Sequence, residues 1–393
     1  MISGITIISS IIISLYVFMV TAFALAWIFR ENYKIQNKES INKKISIIIA
    51  FRNEEDNLQK LLDSLLKQNY PDFEIILIDD HSYDNSASII AKVQNPTISY
   101  YLLPSELNGK KSALRYGAIF AKGDILFFTD ADCYVENELW LSTMLDYMIR
   151  KDVKMLCGIV CFDNKKGVFS KLLQLEFLSM VGSGAAGFFL NIPFMCNGAN
   201  YAITRDVFNE ASKYFNDKYS SGDDVFLLHY VSKKYKVDFI KNKNTTIESL
   251  APKNIKDFFA QRIRWASKTS GYKNIMMFFI MFINVTTSLL LVVSLIFGIF
   301  SIEYLYLFLI LFLIKIFFDN LFMLPILRFF QKRKLIYYLP LLQIFYSFYI
   351  VTTFVLLLFW QPEWKGRKII AVSNAVKTPR LQNDQCYLLS KKA

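Results

Sequence analysis

GDILFFTDAD, residues 123–132, carries four apolar residues (Ile125, Leu126, Phe127, Phe128) out to two aspartates, Asp130 and Asp132. A short apolar run with turn residues at both ends reads as a strand buried on both faces. Residues i and i+2 of an extended chain point to one side, so the two carboxylates are expected to face the same place. They repel unless something positive lies between them. Mg²⁺ or Mn²⁺ satisfies such a pair, typically with phosphate oxygens completing its shell. A solvated acidic turn is the plainer alternative, and the D-x-D spacing alone does not choose between the two.

The neighbouring sequence extends the pattern. ISIIIAF (residues 45–51) and FEIILIDD (73–80) are further buried strands, and ISYYLL (98–103) is another. Between them NLQKLLDSLLKQ (57–68) places leucines at 58, 61, 62, 65 and 66, a helical spacing. NSASIIAKV (85–93) reads as a helix capped by Asn or Ser, and KKSALRYGAIFAK (110–122) as a helix packed through small residues. Alternating strands and helices predict an α/β fold with a mainly parallel sheet and right-handed crossovers. Ligands of such sheets bind beyond the carboxyl ends of the strands. Asp79 and Asp80 end the 73–80 strand as Asp130 and Asp132 end theirs, so both pairs are expected at one pocket. One pair would serve a cation and the other a base or ribose.

Three later constellations fit that pocket. Lys110 follows Gly109 at a helix start and is a candidate to touch a diphosphate, a solvated lysine being the alternative. Ser221-Gly222-Asp223-Asp224 opens the apolar helix VFLLHYV. Carboxylates are favoured at a helix N-terminus anyway, but one of them, held ionised there, can act as a general base. In Gln261-Arg262-Ile263-Arg264-Trp265, Arg264 offers a bidentate fork for phosphate and Trp265 a face for a sugar ring. A basic and aromatic membrane anchor is the alternative reading of that pentad.

The rest of the chain is apolar. Hydrophobic residues make up 54% of its 393 residues, too many for a plain soluble globule. Residues 2–29, 275–300 and 335–360 contain no charge, and each exceeds the roughly 20 residues that span a bilayer. Residues 305–327 form a fourth apolar stretch, in which Lys315 and Asp319 are spaced to pair on one helix face. A cleaved signal peptide fits the first stretch poorly, since no Lys or Arg precedes it. It is read as an anchor over 1–30. The flank holding Arg30, Lys34, Lys38, Lys43 and Lys44 puts the chain beyond this anchor in the cytoplasm.

The expected organisation is a catalytic domain over 40–270, with 170–194 and 251–270 in the membrane interface. Transmembrane helices follow over 271–362 and a basic tail over 363–393. Three C-terminal crossings would put that tail outside, against the positive-inside rule, so one segment is expected to be re-entrant or interfacial. Net charge is +12, but the basic residues gather beside apolar spans, which points to lipid headgroups and not to nucleic acid. Five cysteines without a C-x-x-C and only two histidines argue against zinc and for free thiols.

Seven motifs in order, IIIAFRNEEDNL, IILIDDHSYDNS, GKKSAL, FFTDAD, CNGANYAI, SGDDVFLL and QRIRW, resemble the membrane-integrated branch of the family 2 glycosyltransferases, which have the GT-A fold. That branch includes cellulose, hyaluronan and poly-N-acetylglucosamine synthases and ceramide glucosyltransferases. WKGR (364–367) resembles a C-terminal feature of some members. The resemblance implies that Asp80, with Asp79, meets uracil, that Glu54 lines the nucleotide site, and that Lys110 holds the donor. It implies Asp130 near the ribose or metal and Asp132 as metal ligand. Asp224 becomes the base, with Asp223 beside it, and Gln261, Arg264 and Trp265 serve the diphosphate and acceptor.

Two departures stand out. AFRNE lacks a proline common after the first strand, and GDD replaces TED, which leaves Asp223 against Asp224 open. The implied activity is inverting, metal-dependent hexosyl transfer from a UDP-sugar to a lipid or lipid-linked acceptor at the cell membrane. A processive polysaccharide synthase is the alternative, with an export partner or a second copy completing its conduit. A non-catalytic scaffold fits less well, since such a protein would be free to lose Asp132, Asp224 or Arg264.

Overall fold

A computed structural model describes residues 2–35, 43–163, 166–215, 219, 222–359, 363–364 and 367–368. Lys38, Ser221, Cys386 and most of the 363–393 tail lie outside the described residues.

Four parallel strands form the half of the sheet that the sequence predicts. β1 (Ile45–Phe51) lies between β2 (Phe73–Asp79) and β4 (Ile125–Phe128), and β3 (Ile98–Leu102) flanks β2. The β-branched residues of β1 are wholly buried because helices cover both faces of the sheet. α2 (Leu58–Leu66) buries Leu58, Leu61, Leu62 and Leu65 on one side. α3 (Ser86–Lys92) and α4 (Lys110–Phe120) complete the crossovers. α4 lies so close to the sheet that a Cβ on Gly117 would sit 2.7 Å from Ile48 Cγ2.

Beyond β4 the sheet turns mixed. β8 (Tyr201–Thr204) runs antiparallel to β4, followed by β6 (Met155–Cys157) and β9 (Val237–Phe239), giving the order β3-β2-β1-β4-β8-β6-β9. A second sheet pairs β10 (Ile247–Ser249) with β5 (Cys133–Val135) and β7 (Val160–Phe162). This partition changes the reading of the acidic tip. β4 ends at Phe128 and β5 starts at Cys133, so Asp130 and Asp132 lie in a turn between two sheets, closed by the Cys133 N–H donating to the Asp130 carbonyl at 3.2 Å. The i, i+2 rule for an extended strand is therefore not what brings the two carboxylates together.

α5 (Trp140–Lys151) packs behind this junction, and α7 (Arg205–Ala211) and α8 (Asp223–Val231) come after β8. Among the described residues five helices are long and apolar enough to cross a membrane: α1 (Ile2–Phe29), α6 (Val168–Phe189), α10 (Ile275–Gly298), α11 (Ile302–Phe329), and α12 (Leu339–Phe359) with the short turn before it. α6 stands apart. Its apolar window is 72% buried within the protein, against 28–39% for the others. It packs against β7 and β9 on one side and α1, α11 and α12 on the other. α10, α11 and α12 each run unbroken.

Their outer faces expose Phe18, Phe282, Leu313 and Phe354, as lipid-facing surfaces do. Their inner faces interlock: Trp27 meets Phe329 edge-on at 5.6 Å, and Phe23 meets Phe322 at 6.4 Å. Lys315 and Asp319 pair as expected, at 2.7 Å.

Candidate active site

The carboxyl ends of β1, β2 and β4 open into a cavity of about 290 Å³. Asp80, Glu54, Lys110, Asp130 and Asp132 line it from the sheet side. Asp223, Asp224, Gln261, Arg264 and Trp265 line it from α8 and from α9 (Ile255–Ala266). Every site residue singled out in the sequence reaches this cavity except Asp79. Asp79 is instead spent on the fold: it accepts the Ser82 N–H at 2.7 Å and the Tyr100 hydroxyl at 3.1 Å. Asp80 accepts the Gly109 N–H on both oxygens at 3.1 Å, which ties the start of α4 to the tip of β2. Glu54 accepts from the Asn57 amide at 2.7 Å.

Lys110 is the first residue of α4, and Gly109 before it has φ 83°, a left-handed conformation that glycine adopts without strain. The ammonium lies 2.5 Å from Asp130 Oδ1 and 3.6 Å from Asp223 Oδ2. Burial works against the Lys110 charge, but Asp130 and Asp223 more than offset it, so its pKa rises. Gly222, with φ 86°, starts α8 and sends Asp223 and Asp224 inward.

These two carboxylates differ. Asp223 is 2% exposed, and among the described residues its Oδ2 accepts no hydrogen bond. Asp224 accepts the Val225 N–H at 2.8 Å. Burial and then the Asp223 charge raise the Asp224 pKa, opposed by Lys268, Lys110 and that amide. Gly198 forms the floor: a Cβ there would meet Asp224 Oδ2 at 3.2 Å and Lys110 Nζ at 3.3 Å. Asn200, in the same CNGANYAI motif, pins the surrounding segments. Its amide donates to the Ile159 and Thr245 carbonyls at 2.7 Å and accepts from Trp140.

α9 carries two sets of side chains. Gln261, Arg264 and Trp265 turn to the cavity, while Arg262 turns away into an ion pair with Glu176 of α6. Burial lowers the Arg264 pKa, opposed by Asp130, Asp132, Asp224 and Asp223. The guanidinium keeps its charge regardless.

Two charged cavity residues, Arg52 and Lys268, were not singled out in the sequence. Arg52 donates to the Asp80 and His81 carbonyls at 2.6 and 2.7 Å, fixing the β2 tip. Lys268, 8% exposed, faces Asp224, and burial pushes its pKa down to about 8 despite that carboxylate. The signal for Lys268 was available, because it lies one helical turn beyond Arg264.

The cavity changes character towards the membrane helices. There Met180, Val181 and Gly184 of α6, Met195, and Met277 of α10 line it.

Residues 46–211 match the family model "Glycosyl transferase family 2". Over 154 residues the chain is 27% identical to the poly-beta-1,6-N-acetyl-D-glucosamine synthase of Staphylococcus aureus strain MSSA476, covering 38% of this chain and 37% of that protein. Over 139 residues it is 30% identical to the enzyme of that name from Staphylococcus epidermidis, covering 35% and 34%. These alignments thus span little more than a third of the relatives' own length. The fold superposes on a mannosyltransferase from Pyrobaculum calidifontis, solved with GDP-Man and Mn²⁺. The TM-score is 0.58 at 16% identity, over 89% of this chain and 99% of that one. Over residues 46–211 the chain is therefore similar to the family 2 glycosyltransferases, with a GT-A fold packed against apolar helices of membrane-spanning length.

Proposed function

We propose that this protein transfers a sugar from a UDP-sugar to a lipid or lipid-linked acceptor at the membrane, with inversion, giving a β-glycoside. One observation carries the reading. Lys110, Arg264 and Lys268 share one cavity at the strand ends with the carboxylates of Asp130, Asp132, Asp223 and Asp224. The cations suit a leaving diphosphate, whose charge grows as the glycosidic bond breaks. Glu54 and Asp80 line the nucleotide end. Asp224 takes the proton of the acceptor hydroxyl as that oxygen attacks the anomeric carbon. Asp223 acts through Lys110, which it holds charged and in place. Gln261 and Trp265 orient the diphosphate and the acceptor sugar.

Among the described residues no three His, Cys, Asp or Glu cluster as a metal site. The donor set still fits Mg²⁺ or Mn²⁺ bound with substrate, because such ions take one or two carboxylates and complete their shell with phosphate oxygens. Asp132 is the ligand we assign, with Asp130 shared between that role and Lys110. When bound, the ion supplies Lewis-acid charge to the leaving diphosphate.

The apolar wall of Met180, Val181 and Met277 supports an acceptor that arrives from the bilayer. The similarity to poly-N-acetylglucosamine synthases supports a second reading, processive synthesis of a β-linked polymer, with export aided by a second copy or a partner. Product size separates the two, since only a synthase gives long ladders. The basic flank after α1 supports a cell-membrane protein with residues 40–270 in the cytoplasm, α6 and α9 seated at the interface and 271–362 as spans.

The test uses purified full-length protein, a radiolabelled UDP-sugar and membrane lipid. Asp224→Asn is expected to bind UDP normally and to lose about 10²–10⁴ in transfer rate. Unchanged transfer removes Asp224 as the base. Asp132→Ala is expected to lose metal-dependent transfer, and a variant that retains it removes the assigned ligand.

A further inference from the structure

A second cavity, of about 800 Å³, opens where α11 turns into α12. Lys171 of α6 forms one wall, and Arg328 at the end of α11 with Lys332, Arg333 and Lys334 of the turn form the other. Among the described residues none of these five cations pairs with a carboxylate.

Their neighbours hold the walls face to face. Lys332 donates to the Gln174 side chain at 3.4 Å, and Lys171 donates to the Tyr338 hydroxyl at 2.9 Å. The C-terminal dipole of α11 favours Arg328 and Lys332. It accounts neither for Arg333 and Lys334 nor for Lys171 on a separate helix. Such a cluster is self-repelling and calls for an anion.

The surroundings point to where the anion comes from. The pocket sits at the ends of two apolar helices whose outer faces expose Phe317 and Leu321 of α11 and Leu341 and Ile344 of α12. Tyr337 on its rim is 82% exposed. Tyrosines and basic residues at helix ends mark headgroup depth, and basic pockets between such helices take phosphate headgroups.

We propose that this pocket binds the phosphate of an anionic membrane lipid, whose chains lie along the outer faces of α11 and α12. The proposal does not depend on the transferase reading, and its test involves no sugar transfer.

Full-length protein in neutral detergent at about 0.15 M salt is titrated with dihexanoyl phosphatidylglycerol. Dihexanoyl phosphatidylcholine and inorganic phosphate are titrated separately. Saturable binding of phosphatidylglycerol is expected, with little binding of either comparison compound. Lys332→Gln/Arg333→Gln/Lys334→Gln is expected to weaken it by about tenfold or more, and Lys171→Gln, on the opposite wall, to weaken it as well. Lys67→Gln/Lys213→Gln/Lys233→Gln removes the same charge from exposed positions elsewhere and is expected to leave binding unchanged. Equal loss in both triple variants reduces the effect to bulk charge and overturns the proposal. So does inorganic phosphate binding as tightly as the lipid, or binding that never saturates.

Discussion

Asp224 and Lys268 face each other in a buried space, and each is shifted by that burial. The carboxyl is raised and the ammonium is lowered to about 8. On the proposed mechanism transfer needs Asp224 ionised and Lys268 protonated, so activity is expected between these two titrations. The acid limb of kcat/KM should lie above the ordinary carboxylate range, and the alkaline limb near pH 8, where Lys268 loses its proton. Lys268→Arg keeps the charge through that range. Its alkaline limb is expected to move upward with the acid limb unchanged, as read from pH profiles of initial rates. An alkaline limb that stays put assigns that titration to another group. Single residues were unevenly legible. Asp130, Asp132, Asp223, Asp224 and Arg264 declared themselves by motif. The i, i+2 geometry invoked for the first pair was not the operative one, because β4 stops at Phe128 and a turn between two sheets carries both aspartates. Asp79 looks equivalent to Asp80 in sequence, but only the fold shows that Ser82 and Tyr100 consume its oxygens.

At the scale of elements, α9 depends on a contact that its own sequence does not announce. Arg262, inside the QRIRW motif, is 5% exposed and forms a bidentate pair with Glu176, which is fully buried. Tyr349 of α12 donates to the same carboxylate at 2.8 Å. One network thus ties the helix bearing Arg264 and Trp265 to α6 and to α12. In sequence, Glu176 reads as a blemish in an apolar run, because Arg262 is 86 residues away and no local period links them. Removing one partner leaves a buried charge uncompensated, at a cost of about 3–5 kcal/mol. Glu176→Ala is therefore expected to lower the unfolding midpoint and to cut transfer by misplacing Arg264 and Trp265. Tyr349→Phe, which loses one hydrogen bond, should cost only about 1–2 kcal/mol. Thermal unfolding in detergent, read beside transfer rate, checks the ranking. Equal effects from the two variants would mean that the ion pair does not hold α9. The alternation of β1 to β4 with α2 to α4 was readable throughout, because each period is local. The order beyond β4 was not, because β8, β6 and β9 pair out of sequence.

Across the whole molecule, the apolar helices converge on a polar knot at their centre. Lys315 and Asp319 of α11 are 2.7 Å apart, and Lys315 also donates to the Tyr16 hydroxyl of α1 at 2.6 Å. That hydroxyl donates to the other Asp319 oxygen at 2.6 Å, and Gln343 of α12 donates to Asp319 as well. The i, i+4 pair was visible in the sequence, but Tyr16, 299 residues from Lys315, was not. Charges at this depth are costly unless paired, and here three helices share the pairing. The knot therefore fixes how α1, α11 and α12 sit around one another. Lys315→Met alone leaves Asp319 buried with neutral donors only, and should destabilise the protein by about 3–5 kcal/mol. Lys315→Met/Asp319→Leu removes both charges and is expected to recover much of that loss, since apolar replacement of a buried pair is often neutral. Folded yield and unfolding midpoint in detergent measure both variants. If the double variant is no more stable than the single one, the knot stabilises through Tyr16 and Gln343 and not through its charges.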